Sequence, residues 1–337
     1  MKKFLVILLL AALLSGGGAL YALHCFNLPA VSGEAEASVF EIKKGESLGS
    51  IAGRLEQEGF IRSGLYLKLL SRKNGTGNSF KTGQYEISPA MSTEEIHDLL
   101  VSGKGILVKV TVPEGVTLKK TAEILEQAGI VAAADFVRAA ENRTVLEKYR
   151  IAGKNAEGFI FPDSYFFQKN VSPETVLETF LENFIRKLEE KIPGCREMDS
   201  SELYGKVILA SIVEREYRRA EEAPLIASVF TNRLEIGMQL ASCATIEYII
   251  AELQGKKHPE YITFEDLKIE SPYNTYRNKG LPPGPIANPG IIALEAAFNP
   301  AESDYLYFLL KNRETGEHFF SRKFSEHSNA RFLYLKK

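Results

Sequence analysis

Residues 207–240 read VILASIVEREYRRAEEAPLIASVFTNRLEIGMQL, and this stretch decides how the rest of the chain is interpreted. Its apolar residues recur at helical spacing. Pro224 interrupts them, and proline is tolerated at the start of a helix but not in its interior. The stretch therefore predicts two helices separated near Pro224. The first of them holds two closely spaced glutamates.

Glu216 is the glutamate that continues the apolar face of the first predicted helix. Together with Leu209, Ile212 and Val213 it follows the i, i+3, i+4, i+7 spacing, whereas Glu214 lies on another face, shared with Ala210 and Ser211. Partial desolvation would raise the pKa of a carboxyl group there from about 4.3, toward the range of a proton donor. Of the two glutamates, Glu216 is therefore the candidate acid. The alternative, which periodicity alone favours, is that Glu216 is a solvated residue at the end of the helix.

The N-terminus predicts a membrane anchor. Residues 4–26 contain no Asp, Glu, Lys or Arg and are long enough to span a bilayer, and Lys2 and Lys3 precede them. We expect residues 1–3 to be a cytoplasmic tail, residues 4–26 a single transmembrane helix in the cytoplasmic membrane, and the remainder extracytoplasmic. A cleaved signal peptide is the alternative, because a charged start and an apolar run are typical of one too.

Composition excludes several classes of partner and cofactor. The chain of 337 residues is 45% hydrophobic, enough to fill the cores of two domains, and 41 Lys+Arg against 43 Asp+Glu give a formal net charge of -2. No basic field attracts nucleic acid. Five histidines without His-x-x-x-His or Cys-x-x-Cys spacing predict no metal site. An oxidising compartment would allow Cys195 and Cys243 to pair, which sequence leaves open.

An internal repeat follows a linker predicted at residues 27–38. A strand at 39–42, a turn with a helix cap, and a helical stripe at 48–55 return about seventy positions later at 108–112 and 118–125, and RLEQEGF aligns with ILEQAGI without a gap. Between the copies, Ser92 and Glu95 have the spacing of a capping box. The pattern predicts an α+β fold with one small strand–helix module at 39–106 and a second such unit at 107–150.

The two copies resemble the LysM module in their segments GESLGSIA, at 45–52, and GVTLKKTA, at 115–122. This resemblance implies binding to the N-acetylglucosamine-containing backbone of peptidoglycan. The alternative is that both units are spacers without affinity for sugar.

Five segments of the chain resemble the endolytic murein transglycosylases, the MltG or YceG-like family. They are EGFIFPDSY (157–165), ASIVEREY (210–217), SVFTNRLEIGMQL (228–240), SPYNTY (271–276) and GLPPGPIANPG (280–290). The resemblance implies a mixed α/β catalytic domain at 107–337, in which Glu216 is the catalytic residue. It further implies a lytic transglycosylase, a lyase that needs no cofactor. Such an enzyme cleaves the MurNAc–GlcNAc bonds of glycan strands and leaves 1,6-anhydroMurNAc ends. The resemblance also implies that the enzyme terminates the elongation of nascent strands and that peptidoglycan synthases are candidate partners.

Four further residues are candidates for substrate binding. Tyr273, Asn274 and Thr275 offer aromatic, amide and hydroxyl groups suited to sugar rings and their hydroxyls, and Asn288 is a candidate for holding an N-acetyl group. Closing a loop is the alternative role of the first three.

The sequence departs from the family pattern at two positions. Tyr217 follows Glu216 where small residues are common, and Cys243 stands where many members have aspartate. Two other functions stay open: a non-catalytic scaffold that binds peptidoglycan, and a muramidase, which needs a second acidic residue to activate water.

Overall fold

The computed structural model describes residues 17–18, 21–43, 45–169 and 171–334. The strands are β1 (Ser38–Ile42), β2 (Gly83–Ile87), β3 (Leu107–Thr111), β4 (Ser164–Gln168), β5 (Tyr307–Leu310) and β6 (His318–Ser321). The helices are α1 (Leu48–Gln57), α2 (Gly64–Lys73), α3 (Thr93–Ser102), α4 (Leu118–Gln127), α5 (Ala133–Ala140), α6 (Arg143–Lys148), α7 (Pro173–Lys191), α8 (Ser200–Glu216), α9 (Ala223–Glu235), α10 (Cys243–Tyr248), α11 (Ile291–Phe298) and α12 (Phe324–Tyr334). The fold is mixed α+β, as predicted.

The chain divides into two compact units, one of residues 1–108 with 166–171 and the other of residues 109–165 with 172–337. In the first unit, β1 pairs antiparallel with β2, so that Phe40 lies opposite Tyr85. Alternate residues of both strands face a core that α1, α2 and α3 complete. The predicted capping box is confirmed, because Ser92 accepts a hydrogen bond from Glu95 N while the Glu95 side chain accepts one from Ser92 N.

The internal repeat is visible in the order of the elements. The first copy is β1–α1–α2–β2, and the second is β3–α4–α5–α6–β4, which has one additional helix. In each copy the two strands pair with each other. Both copies begin their first helix with a hydroxyl cap, Ser47 on α1 and Thr117 on α4. Both end it before a glycine at positive φ, Gly59 at 80° and Gly129 at 68°. The aligned sequence pieces therefore encode the same local turn, since glycine adopts positive φ without a steric penalty.

The two helices predicted around Pro224 are α8 and α9, with Pro224 in the first turn of α9. In the second unit, α8 packs against α9 and α11, and α9 packs against α11 and β5. This arrangement sets the C-terminal end of α8, where Glu216 lies, beside the segment that contains α10. Strand β5 pairs antiparallel with β6.

The predicted transmembrane segment lies largely outside the described residues, as does the predicted tail at 1–3. Residues 17–18 and 21–27 are helical. Across the described ranges, no helix combines the length and apolarity that crossing a bilayer requires.

Candidate active site

Glu216 is the last residue of α8 and lines a cleft of about 850 Å³ in the second unit. This Glu216 cleft is walled by the end of α9, the residues leading into α10, the segment 261–267, strand β5 and helix α12. Burial raises the pKa of the Glu216 carboxyl above its usual value, and the negative charge of Glu247 raises it further. The hydrogen bond from Ser242 and the positive charges of His318 and Arg218 act in the opposite direction. Because burial is the largest of these effects, the neutral, proton-bearing form of the Glu216 carboxyl is favoured.

Ser242 is the direct hydrogen-bond partner of Glu216. Its hydroxyl donates to Glu216 Oε1 at 2.5 Å, from the N-cap position of α10. The residue before it, Ala241, has a φ of 51°, a left-handed conformation that is uncommon for a residue with a β-carbon. Local backbone strain of this kind persists where surrounding contacts enforce it.

Thr275 supplies those contacts. Its carbonyl accepts a hydrogen bond from Ala241 N at 3.0 Å, and its hydroxyl oxygen accepts one from Ser242 N at 3.1 Å. Its hydroxyl also lies 2.9 Å from that of Thr245, which donates to the Ser242 carbonyl. Thr275 therefore donates its own proton to Thr245. This predicted site residue is buried and positions Ser242.

Asn274 and Asn288 are fully buried, and their amide groups bond to backbone. Asn274 Nδ2 donates to the carbonyls of Leu267 and Ile269, and its Oδ1 accepts from Tyr276 N. Asn274 thus fixes the loop that carries Thr275.

Asn288 joins two loops away from the Glu216 cleft. Its Oδ1 accepts from Gly158 N and Ile160 N, and its Nδ2 donates to the Val116 carbonyl. Tyr273 is half-buried, with its ring 5.2 Å from that of Tyr248. Of the four residues predicted to bind substrate, the structure brings only Thr275 into the hydrogen-bond network of Glu216, and none of the four lines the cleft.

The prediction that only the face of Glu216 is apolar was wrong, because the face that Glu214 shares with Ala210 and Ser211 is buried too. Every residue from Val207 to Val213 is buried, so this part of α8 is enclosed on all sides and its periodicity does not distinguish an exposed face from a buried one. Glu214 Oε2 accepts a hydrogen bond from Gly290 N at 2.9 Å, at the start of α11. Burial raises the pKa of Glu214 to about 7, and the charge of Glu114 adds to that rise. Glu214 is absent from the lining of the Glu216 cleft.

Sequence reasoning missed several residues that line the cleft. Tyr261 and Phe264 are strongly exposed, the latter at 83%, and offer flat apolar surfaces suited to sugar rings. Arg233 contributes a buried guanidinium. The sequence contains the aromatic residues of YITF and the arginine of TNRL, but no local pattern indicates that they share a cavity with Glu216. Their position depends on the tertiary fold.

Cys243 lies on the cleft wall, and Cys195 is buried elsewhere; both are free thiols, so the pairing left open by the sequence is absent from the structure. Cys243 Sγ lies 3.0 Å from Tyr276 Oη. Tyr217, the other departure from the family pattern, is the C-cap of α8. In the part of the chain that the structure describes, no group of three or more His, Cys, Asp or Glu side chains is placed to hold a metal ion.

The sequence model of the YceG-like family matches residues 40–331. The chain belongs to the YceG-like family. Membership confirms the resemblance drawn from the five segments, and the matched range extends from β1 to α12.

The chain is also similar to two endolytic murein transglycosylases and to a crystal structure of a YceG-like protein. The chain is 30% identical over 342 residues to the endolytic murein transglycosylase of Bacillus subtilis, covering 96% of this chain and 91% of the relative. It is 30% identical over 364 residues to that of Streptococcus pneumoniae strain D39, covering 97% of this chain but 64% of the relative. A crystal structure of a putative YceG-like protein from Listeria monocytogenes is 31% identical, with a TM-score of 0.57, 88% of this chain covered and 99% of that one.

Proposed function

We propose that this protein is an endolytic lytic transglycosylase that cleaves the bond between N-acetylmuramic acid and N-acetylglucosamine in murein strands. The name of its relatives supplies the substrate class. The observation that supports Glu216 as its acid/base is the composition of the cleft wall. Among the described residues that line the Glu216 cleft, Glu216 is the one carboxyl group, and burial raises its pKa.

The hydrogen bond from Ser242 specifies which oxygen of Glu216 moves the proton. Because Ser242 Oγ donates to Oε1, we assign the acidic proton to Oε2. Glu216 first transfers that proton to the departing glycosidic oxygen as the bond to muramoyl C1 breaks. The resulting carboxylate then accepts the proton of the muramoyl C6 hydroxyl while O6 bonds to C1. One residue serves as acid and then as base.

A lone glutamate suits this reaction better than hydrolysis. Hydrolytic glycosidases generally use two carboxyl groups, one as acid and one to activate water or form a covalent intermediate. In the proposed reaction the substrate provides its own nucleophile, so no second carboxyl group is required.

The test is the fate of water in the product. An anhydromuramoyl end is about 18 mass units lighter than a hydrolysed end, because no water enters. We expect purified protein acting on murein strands in oxygen-18 water to give anhydro ends without label. Labelled reducing ends as the main product would identify a muramidase, and the absence of any released fragment would identify a scaffold.

We further propose that the first unit is a LysM-like module that binds the N-acetylglucosamine-containing backbone. A groove of about 560 Å³ lies between the segment that follows β1 and the segment that precedes β2. Leu48, Phe80 and Asn78 are among its lining residues, so it offers both apolar surface and an amide to a sugar.

The apolar run at 4–26 supports a third proposal, that the protein is anchored in the cytoplasmic membrane with both units outside. Such an anchor would keep the Glu216 cleft near newly made strands. The family resemblance also supports a peptidoglycan synthase as a partner.

A further inference from the structure

The lining of the Glu216 cleft contains three basic side chains. They are Arg233, on α9, and Arg331 and His327, on α12. The ring of Tyr307 joins them, since the Arg233 guanidinium carbon lies 5.2 Å from the centre of that ring and the imidazole of His327 lies 5.5 Å from it. We call Arg233, His327 and Arg331 the basic cluster.

Arg233 is held in a fixed position by main-chain carbonyls. Nε donates to the Leu306 carbonyl at 2.6 Å, and Nη1 donates to the carbonyls of Leu240 at 2.7 Å and Gln239 at 3.3 Å. The residue is only 9% exposed, and its burial lowers the pKa of the guanidinium. Retaining a charge in such a position has an energetic cost unless a counter-charge arrives.

Neither arginine of the cluster forms an ion pair with a described carboxylate. Within the described ranges, no carboxylate oxygen lies within 4 Å of a guanidinium nitrogen of Arg233 or Arg331; Glu216 is the one carboxyl group whose charge raises the pKa of Arg233. Burial lowers the pKa of His327, and the charges of Arg331 and Arg233 lower it further. Its Nδ1 is buried without a hydrogen-bond partner. The cluster is therefore a region of positive charge inside the cleft, and within the described residues it has no carboxylate partner at ion-pair distance.

We propose that Arg233 and Arg331 form a subsite for a carboxylate carried by the muramic acid residues of the strand, an inference that rests on the proposed function. Guanidinium N–H groups form charge-assisted hydrogen bonds with a carboxylate, and the partly dry wall of the cleft strengthens those bonds. N-acetylglucosamine carries no carboxylate, whereas muramic acid carries one either on its lactyl group, when peptide-free, or on its stem peptide. The subsite therefore distinguishes the two alternating sugars and sets the register of the strand over Glu216.

The experiment measures kcat and KM on four substrates: peptide-free strands and peptide-bearing strands, each before and after their carboxylates are converted to amides. We expect amidation to raise the KM of the wild-type protein about tenfold, the effect of losing one charge-assisted hydrogen bond. An increase in KM that is confined to peptide-free strands identifies the lactyl group as the ligand. A rise confined to peptide-bearing strands identifies the stem peptide, and a rise on both identifies either carboxylate as sufficient.

Variants at Arg331 test the cluster without removing the carbonyl contacts of Arg233. We expect Arg331→Gln to raise KM on carboxylate-bearing strands and to reduce the effect of amidation, Arg331→Glu to raise KM more, and Arg331→Lys to stay near wild type. Arg313→Gln is the matched control, since Arg313 is exposed and absent from the cleft lining. Equal effects of Arg331→Gln and Arg313→Gln, or wild-type kinetics that amidation leaves unchanged, would overturn the subsite.

A binding readout separates the subsite from a structural role for α12. In the Glu216→Gln protein, which leaves strands uncleaved, a bound carboxylate should raise the pKa of His327 as followed by NMR, and amidated strands should leave it unchanged. Equal shifts with both strands would contradict the proposal. If the wild-type protein cleaves none of the four substrates, the proposed function fails and the subsite with it; cleavage that amidation does not affect removes the subsite alone.

Discussion

The hydroxyl of Ser242 donates to Oε1 of Glu216 at 2.5 Å, across 26 positions of the chain. This bond stabilises the charged form of a carboxyl group whose burial favours the neutral form, and the pKa of Glu216 reflects both effects. In the proposed mechanism, Ser242 therefore adjusts the pH range in which Glu216 can act as an acid.

Replacing Ser242 with alanine should raise the pKa of Glu216. Because the first step needs protonated Glu216, activity falls as pH rises through that pKa, and the descending limb of the pH–rate profile should move up by about one pH unit, the value of one hydrogen bond to a charged group. Ser228→Ala is the control, since Ser228 is a buried hydroxyl outside the cleft. An unmoved limb in Ser242→Ala would remove Ser242 from the acid/base network.

Glu216→Gln should abolish cleavage without unfolding the protein. The amide has nearly the same shape but cannot donate and recover a proton, and acid–base catalysis is worth about 10² to 10⁴ in rate. Kinetics on murein strands, with circular dichroism as the folding check, measure the effect.

Glu214→Gln is the matched comparison, because it lies two residues away and contacts the start of α11 outside the cleft. We expect it to keep substantial activity. Equal loss of activity in both variants would withdraw the assignment to Glu216 alone.

Glu157 should make the protein less stable at alkaline pH. Its Oε1 accepts the Leu118 amide at 2.8 Å, and burial raises its pKa to about 8. Between the ordinary value of 4.5 and about 8, the folded state holds a proton that the unfolded state has lost. The free energy of unfolding therefore falls as pH rises through this window.

Glu157→Gln removes that titration while keeping an oxygen for Leu118 N. Melting temperatures at several pH values between 5 and 9 should show a shallower decline in the variant than in the wild type. Glu214 titrates in the same direction, so the Glu214→Gln variant is measured in parallel. Parallel curves for wild type and Glu157→Gln would show that Glu157 does not carry the extra proton.

The groove of the first unit should contribute to strand binding and not to chemistry. Asn78→Ala, within the groove, should weaken binding to glycan strands or change product lengths while kcat remains near wild type. Asn74→Ala, an exposed asparagine outside the groove, is the control. Deleting residues 39–105 should have a larger effect of the same kind. A folded deletion protein without bond-breaking activity would make the first unit part of the active site.

The apolar run should keep the protein in the membrane fraction at high salt, with its C-terminus outside the cytoplasm. Fractionation followed by protease treatment of intact spheroplasts measures both properties. A soluble mature form that begins near residue 25 would identify a cleaved signal peptide instead.

Local signals predicted much of the fold. Ser47, Thr117 and the Ser92–Glu95 box begin their helices as expected, since each acts through hydrogen bonds within three residues. The partners of Glu214 and Asn288 could not be predicted in the same way. Gly290 lies 76 positions from Glu214, and the amides bonded to Asn288 Oδ1 lie 128 and 130 positions away. Such contacts are set by tertiary packing, which periodicity does not encode.

The left-handed φ of Ala241 has a consequence for protein engineering. A stability screen would favour Ala241→Gly, because glycine adopts this conformation without the penalty of about 1 kcal/mol that a β-carbon imposes. The same change would widen the range of backbone angles open to the residue before Ser242. Selection for heat resistance would then favour glycine at position 241, and selection for turnover would favour alanine. Stabilised variants should therefore be screened for activity before they are combined.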